Sequence, residues 1–440
     1  MDFEIFLTVF LLYVCKCSLS LPTYSDPVFT QPEQVHISAT GDETEMVITW
    51  VTFAKNVDSI VEYGLADHAL DGRKSGSATK FTDGGSEHRI LYIHRVKLTG
   101  LKPSTLYDYH CGSMQGWSTV FRFKTFPKGN KWSPRLCLYG DMGNENAKSL
   151  GYIQEEVTRD DFDAILHVGD FAYDMHTDNA SVGDAFMNQI VPIASARPYM
   201  TCPGNHENAY NFSNYRNRFS MPGDSEGLYY SWNIGPLHII SISTEIYFYG
   251  IIKDQHMLKN QFNWLKNDLE IATSPENRKN QPWIMVMGHR PMYCSDTDKD
   301  DCTKNDSVVR TGVSPLHLFP LEPLFYKYGV DLLIWAHEHN YERLFPIYNL
   351  KIFNGSTESP YKNPGAPVHV TTGSAGCKER HDAFTKDAPY FTAFRSRDYG
   401  YSRMTIYNST HLYFDQISVD KGGKVIDKMW LVKDLHGPYS

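Results

Sequence analysis

Runs of basic residues are missing from this chain. Its 42 lysines and arginines are scattered among 51 aspartates and glutamates, for a net charge of -9 over 440 residues. That balance excludes an extended nucleic-acid-binding surface. After the first twenty residues no stretch is both apolar and long enough to span a bilayer, so no stable membrane anchor is expected. Cysteines are few, eight in all, and none shows CxxC spacing, which excludes a zinc-thiolate site. Internal repeats and low-complexity tracts are absent too.

What is present begins with an apolar run, Ile5 to Cys15, of signal-peptide length. The small residues Ser18 and Ser20 follow, and cleavage after Ser20 makes residues 1–20 a leader, although Asp2 and Glu4 stand where a lysine or arginine is usual. Five N-x-[ST] sequons, at Asn179, Asn211, Asn305, Asn354 and Asn408, fit the same secretory route. Secretion is therefore expected, with lysosomal delivery an open alternative. Outside the leader lie six cysteines. Cys294 and Cys302 flank an aspartate-rich loop and make the most plausible local disulfide. Cys137 and Cys202 sit inside apparent strands and read as buried thiols.

Residues 28–126 read as an all-β module. Glu45 to Trp50, Ile60 to Tyr63, Arg89 to Leu98 and Val120 to Phe126 are alternating or β-branched strands. The early Trp50 and the run L-x-P-x-T-x-Y-x-Y at 101–109 resemble a fibronectin type III-like domain, and nothing in this stretch looks catalytic. A turn-rich boundary, Pro127 to Pro134, precedes a change of pattern. From about residue 133 to 430, apolar strands such as Arg135 to Tyr139, Ala164 to Val168 and Trp283 to Met287 alternate with helical segments, Ser149 to Val157, Asp184 to Ser195, Lys259 to Ile271 and Pro320 to Tyr328, which predicts an α/β domain with largely parallel strands. A β-rich part with a hairpin character begins near residue 366.

Five short clusters close apolar runs in the second domain. They are Gly140-Asp141-Met142-Gly143, Gly169-Asp170-Phe171-Ala172-Tyr173, Gly204-Asn205-His206-Glu207, Val286-Met287-Gly288-His289 and Ala336-His337-Glu338-His339. Ligands of open α/β sheets bind beyond the carboxyl ends of strands, so one sheet edge is expected to gather these clusters. Together they offer carboxylates, a phenol, an amide and imidazoles, enough for two metal ions. Imidazoles suit iron and zinc, while phenolate and carboxylate suit a hard ferric ion. A free tyrosine ionises near pH 10, so holding it as phenolate needs a strongly polarising cation. An acidic protein does not gather phosphorylated molecules by bulk charge, but local cations can.

In order and spacing the clusters resemble the purple acid phosphatases, whose pattern is GDxG, GDxxY, GNH[ED], VxxH, GHxH. Four segments match fully, and the fifth carries Ala336 where glycine is usual. The plant-type, high-molecular-weight members also carry a fibronectin-like N-terminal domain. The resemblance implies an α/β metallophosphoesterase sandwich of β-sheets flanked by helices. It implies that Asp141, Tyr173 and His339 bind Fe(III), that Asp170 bridges, and that Asn205, His289 and His337 bind a divalent ion, zinc or ferrous iron. His206 becomes the proton donor and a phosphate-contacting group. The expected reaction is hydrolysis of a small phosphate monoester at acidic pH by metal-activated hydroxide. Two alternatives stay open: a phosphodiesterase or nucleotide pyrophosphatase on the same scaffold, and a secreted binding protein. After His289 the chain departs from members that carry further histidines there, having Arg290-Pro-Met-Tyr293 and an acidic loop. Arg290 is expected to be solvated, as are Asp174, His176 and Asp178. Glu207 is expected to support the site, and His167 to be a core histidine.

Overall fold

Alternation of apolar and polar residues decides the N-terminal region, where strands pair into two antiparallel sheets. The structure is a computed structural model and describes residues 27–55, 57–253 and 255–439; the expected leader lies outside them. One sheet orders Glu33–Ser38, Met46–Thr52, Ile90–Leu98 and Ser77–Thr82. The other is built on Ile60–Leu65 and Leu106–Ser113, with Phe121–Lys124 on the latter. Val35, Ile37, Ile48, Trp50, Val61, Tyr109 and Phe123 fill the space between them.

The second region is a sandwich of two sheets rather than one open sheet. The first orders Tyr199–Cys202, Ala164–Val168 and Arg135–Tyr139 in parallel, then continues antiparallel through Gly400–Ile406, His411–Ser418 and Lys424–Val432. The second orders Tyr230–Ile234, Leu237–Ser241, Trp283–Met287, Leu332–Trp335, Val368–Thr372, Tyr341–Leu344 and Thr392–Ser396. Within it, the strands from Leu237 to Thr372 named here run parallel, apart from Tyr341–Leu344.

Strand residues alternate between two apolar layers, as a pleat buried on both faces requires. Leu136, Leu138, Met285, Ile334 and Val370 pack between the sheets. Cys137, Tyr139, Val286 and Trp335 pack outward, in the layer shared with the helices. Those helices are Leu150–Thr158, Thr177–Ala194, Gln255–Ala272 and Leu321–Tyr328, near the sequence expectations. The second starts earlier than its apolar pattern, because Asp178 to Ala180 form a left-handed turn ahead of the regular part.

A buried polar knot joins the two regions. Arg218, fully buried, donates to Gln34 Oε1 and Asp184 Oδ1, both at 2.8 Å, while Gln34 Nε2 donates to Asp184 at 2.9 Å. The disulfide Cys294–Cys302 forms as expected, with its Cα atoms 5.3 Å apart. Cys111, Cys137, Cys202 and Cys377 are buried free thiols. Among the described residues no helix is long and apolar enough to cross a membrane.

Candidate metal centre

Each cluster leaves the carboxyl end of a strand, but the two sheets divide the donors by type. Arg135–Tyr139, Ala164–Val168 and Tyr199–Cys202 of the first sheet lead into Asp141, Asp170 and Asn205. Trp283–Met287 and Leu332–Trp335 of the second lead into His289 and His337. Carboxylates and amide thus arrive from one side and imidazoles from the other. His289 Nε2 lies 3.2 Å from Asp170 Oδ2, 3.2 Å from Asn205 Oδ1 and 4.0 Å from Asp141 Oδ1. His337 Nδ1 lies 3.2 Å from His289 Nε2. Donor atoms of Asp170, His289 and His337 all fall within 4.8 Å of one another. Beside them, the Tyr173 hydroxyl is 2.9 Å from His339 Nε2 and 3.3 Å from Asp141 Oδ1.

The backbone is bent to make this possible. Asp141, Asp170, Tyr173 and His337 all have φ between 51° and 72°, the left-handed region. Such residues cost on the order of 1–3 kcal/mol each and persist where surrounding structure holds them. Close approach also demands glycine at 204, where a Cβ would sit 2.1 Å from Asp170 Oδ1. Ala336 is accommodated without strain: it is buried and has no positive φ. Its methyl fills the space that a Cβ at Gly140 would enter, at 2.3 Å.

The outer nitrogen of every imidazole is tied down. His289 Nδ1 pairs with the Val168 carbonyl at 2.9 Å, and His339 Nδ1 with the Arg380 carbonyl at 2.9 Å. His337 Nε2 meets Asp300 Oδ2 at 2.5 Å. The carbonyl partners can only accept, so the outer nitrogens of His289 and His339 carry an N–H and their inner nitrogens face the centre, the arrangement of metal-bound histidines; His337 Nε2 is shared between Asp300 and the Arg290 guanidinium, 2.8 Å away, with Nδ1 facing inward. Glu207 binds the loops together, accepting from the backbone N–H groups of Asp170 (2.9 Å), Phe171 (3.1 Å) and Gly204 (2.8 Å).

Electrostatics point the same way. Burial and the neighbouring Asp170 push Asp141 well above the carboxylate range. Burial, then Asp141 and Asp170, push the Tyr173 phenol well above its usual value, so ionising it requires a strongly polarising cation. His289 is buried, yet Asp170 and Asp141 outweigh that and raise it to about 10. A largely buried pocket with two carboxylates, a phenol, an amide and three imidazoles fits two metal ions.

His206 stands at the rim. Its Nδ1 is 3.1 Å from Asp174 Oδ1, and its Nε2 faces Asp170 Oδ2 at 3.9 Å and Glu379 Oε2 at 3.8 Å. Its ring lies against Tyr173, with centroids 4.6 Å apart. Burial opposes its charge, but Asp170, Asp174 and Glu207 outweigh it and raise its pKa.

Several neighbours differ from their sequence expectation. Asp174 is not simply solvated; the left-handed turn at Tyr173 and Asp174 aims it at His206. Arg290 is clamped by Glu245 at 3.0 Å and Asp300 at 2.9 Å and lies over the Phe248 ring. Its charge is met by these two carboxylates rather than by solvent, and one of them, Asp300, also engages His337 Nε2. Asp300 belongs to the acidic loop after His289, whose residue types gave no sign of the contact with His337, while Glu379 and the Arg380 carbonyl carried no signal because they reach the site on a loop about forty residues beyond His339. His167 is a core residue as expected, its Nδ1 against the Tyr199 hydroxyl at 2.5 Å. His381 contacts the His339 carbonyl at 3.2 Å and packs on Tyr399.

Two facing sheets with this donor set at their carboxyl edge define a binuclear metallophosphoesterase, and residues 134–341 match the family described as calcineurin-like phosphoesterase. Residues 32–125 match the N-terminal domain of purple acid phosphatases, and residues 366–428 the C-terminal part of iron/zinc purple acid phosphatase-like proteins. The chain is 54% identical over 428 residues to acid phosphatase type 7 of Danio rerio, covering 96% of both chains. It is 52% identical over 407 residues to the protein of that name in Homo sapiens, 92% of each. Purple acid phosphatase 22 of Arabidopsis thaliana is 28% identical over 424 residues, covering 93% of this chain and 87% of the other. The purple acid phosphatase from yellow lupin seeds shares the fold, with a TM-score of 0.76 at 23% identity over 92% of this chain and 75% of that one. The chain belongs to the purple acid phosphatase family. Its cofactor is the iron/zinc-type binuclear centre of that family.

Proposed function

We propose that this chain is a secreted, glycosylated acid phosphatase that hydrolyses small phosphate monoesters at an Fe(III)–M(II) centre, with M zinc or ferrous iron. One observation carries the reading: lone pairs of seven side chains from two sheets converge while the outer nitrogens of His289, His337 and His339 are engaged elsewhere. Asp141, Tyr173 and His339 would hold the ferric ion, Asp170 would bridge, and Asn205, His289 and His337 would hold the divalent ion. The domain division in this reading is 28–126 for the β-sandwich and 133–430 for the catalytic part.

When bound, the two ions supply Lewis acidity toward phosphoryl oxygens and acidify a water. The protein's own groups do the rest. His206, whose pKa Asp170 and Asp174 raise against the effect of burial, turns Nε2 toward the space above Asp170, and its protonated form can deliver a proton to the departing alcohol oxygen. The same charge contacts the equatorial oxygens of the phosphoryl group. Asp174 on Nδ1 fixes the ring, so that Nε2 is the atom that faces the substrate.

Secretion and glycosylation rest on the leader and the sequons. Asn211, Asn305, Asn354 and Asn408 are exposed, while Asn179 is half-buried, its Oδ1 accepting from the Glu87 N–H at 3.0 Å.

The test is metal content, visible spectrum and turnover on protein from a secretory host. About one iron and one divalent ion per chain, a charge-transfer band lost in Tyr173→Phe, and preference for p-nitrophenyl phosphate over bis-p-nitrophenyl phosphate and ATP are expected. A colourless protein with two zinc ions would overturn the ferric assignment. Dominant diester turnover would replace the monoesterase reading.

A further inference from the structure

Behind the loop that carries His337 and His339 lies a second group of oxygens that the phosphatase chemistry does not use. From residue 337 to 342 the side chains alternate. His337 and His339 turn to the metal centre, while Glu338, Asn340 and Glu342 turn toward the loop closed by the Cys294–Cys302 disulfide. Glu338 is 1% exposed. Its Oε2 has no donor, and its Oε1 lies 3.0 Å from the sulfur of Cys302, which is disulfide-bonded and carries no proton. Asp296 is 4% exposed; Oδ1 accepts from Asn340 Nδ2 at 2.6 Å, and Oδ2 has no donor. The carboxamide oxygen of Asn340, whose nitrogen binds Asp296 and whose side chain is fully buried, also has no partner.

Two further carboxylates complete the group. Oxygens of Asp298, Glu338 and Asp382 all lie within 4.8 Å of one another. Asp382 accepts from the His339 backbone N–H at 2.6 Å, and Asp298 is exposed at the mouth. Among the described residues no lysine or arginine pairs with any of these four carboxylates; the one ion-pair contact is Asp382 with His339 at 3.9 Å. Burial and then Glu342, Asp382 and Asp298 push Asp296 up to about 8. Shared protons would relieve one pair of carboxylates but not three unmet acceptors at once. A cation with six to eight oxygen ligands would, and an all-oxygen donor set selects a hard divalent ion of the calcium class.

We propose that Asp296, Asp298, Glu338 and Asp382, with the Asn340 carboxamide oxygen, form a calcium site separate from the binuclear centre. It fastens the disulfide loop and the Asp382 loop to the stretch bearing His337 and His339. The proposal does not rest on phosphatase activity, since its readout is binding.

The test uses the full-length protein with both catalytic metals in place, treated with EGTA and titrated calorimetrically with Ca²⁺, with Mg²⁺ as comparison. A single Ca²⁺ site with Kd on the order of 10⁻⁵–10⁻³ M is expected. Saturation should raise Tm and leave iron content and the visible band unchanged. Asp298→Asn, at an exposed position, should weaken binding about 10-fold or more with the band intact. Asp382→Asn, which keeps an oxygen for the His339 N–H, should do the same. Three results would overturn the proposal. One is no heat and no Tm shift at millimolar Ca²⁺. Another is Ca²⁺ binding unchanged in both variants. The third is binding that bleaches the visible band, which would place Ca²⁺ in the catalytic centre.

Discussion

Glu207 is the residue on which the geometry of the centre is most exposed to test. Its carboxylate is 2% exposed and accepts three backbone N–H groups, from Asp170, Phe171 and Gly204. Those bonds tie the exit of the Ala164–Val168 strand to the turn that carries Asn205 and His206. Glu207→Ala leaves three buried donors unmet, at about 1 kcal/mol or more each, so roughly 3 kcal/mol in all. Glu207→Gln is milder: its oxygen can keep the Asp170 and Gly204 bonds, but its NH₂ then faces the Phe171 N–H. Loss of such support typically weakens metal binding about 10–100-fold, or roughly 1.4–2.7 kcal/mol. Gln should fall near the lower end of that range and Ala at or beyond the upper. The assay is retention of iron and the divalent ion against a chelator series, with the visible band and kcat/KM followed in parallel. If Glu207→Ala retained both metals and full turnover, the view that this carboxylate holds the exit loops in register would be wrong.

Other outcomes follow from the same geometry. Asp174 helps raise the His206 pKa, so the acid-requiring limb of the rate profile should move to lower pH in Asp174→Asn, read from kcat/KM against pH. Gly204→Ala should displace the Asp170 carboxylate and cut activity at least about 100-fold in a folded protein, checked by circular dichroism and turnover. Arg218→Met removes a buried charge facing Asp184 and should destabilise by about 3–5 kcal/mol in urea unfolding. His94, pushed down to about 4, and His369, pushed down to about 3, are buried neutral. Because burial depresses these bases, their stability is complete above the unfolded pKa of about 6.5 and is lost as pH falls below it. Each should cost about 2.5 kcal/mol by about pH 4.5, and an unfolding midpoint flat from pH 7 to that point would refute the assignment.

How much of this was legible depended on whether the cause was local. Strand ends were readable, because an apolar run followed by glycine and a polar residue records a chain leaving a buried sheet. That is why Arg135–Tyr139, Ala164–Val168 and Trp283–Met287 fall where the pattern put them. The donor types were readable as well, since metal preference follows from the chemistry of carboxylate, phenol, amide and imidazole. The short disulfide loop likewise had only local geometry to satisfy.

What lay beyond the sequence is set by packing between segments distant along the chain. Nothing in the order of residues divides the donors between two facing sheets; that follows from how Leu138, Met285 and Ile334 pack between them. The Val168 carbonyl at a strand end, and the Arg380 carbonyl and Asp300 on loops, decide which nitrogen of each histidine faces inward, and tertiary contacts select their positions. Asp174 and Arg290 look like ordinary solvated charges until the backbone turns them, one onto His206 and the other onto Glu245 and Asp300. Residue type and strand periodicity are properties of a short stretch of chain, so they specify the kind of centre. Direction, tautomer and partner depend on burial against remote surfaces, so only the folded protein decides them.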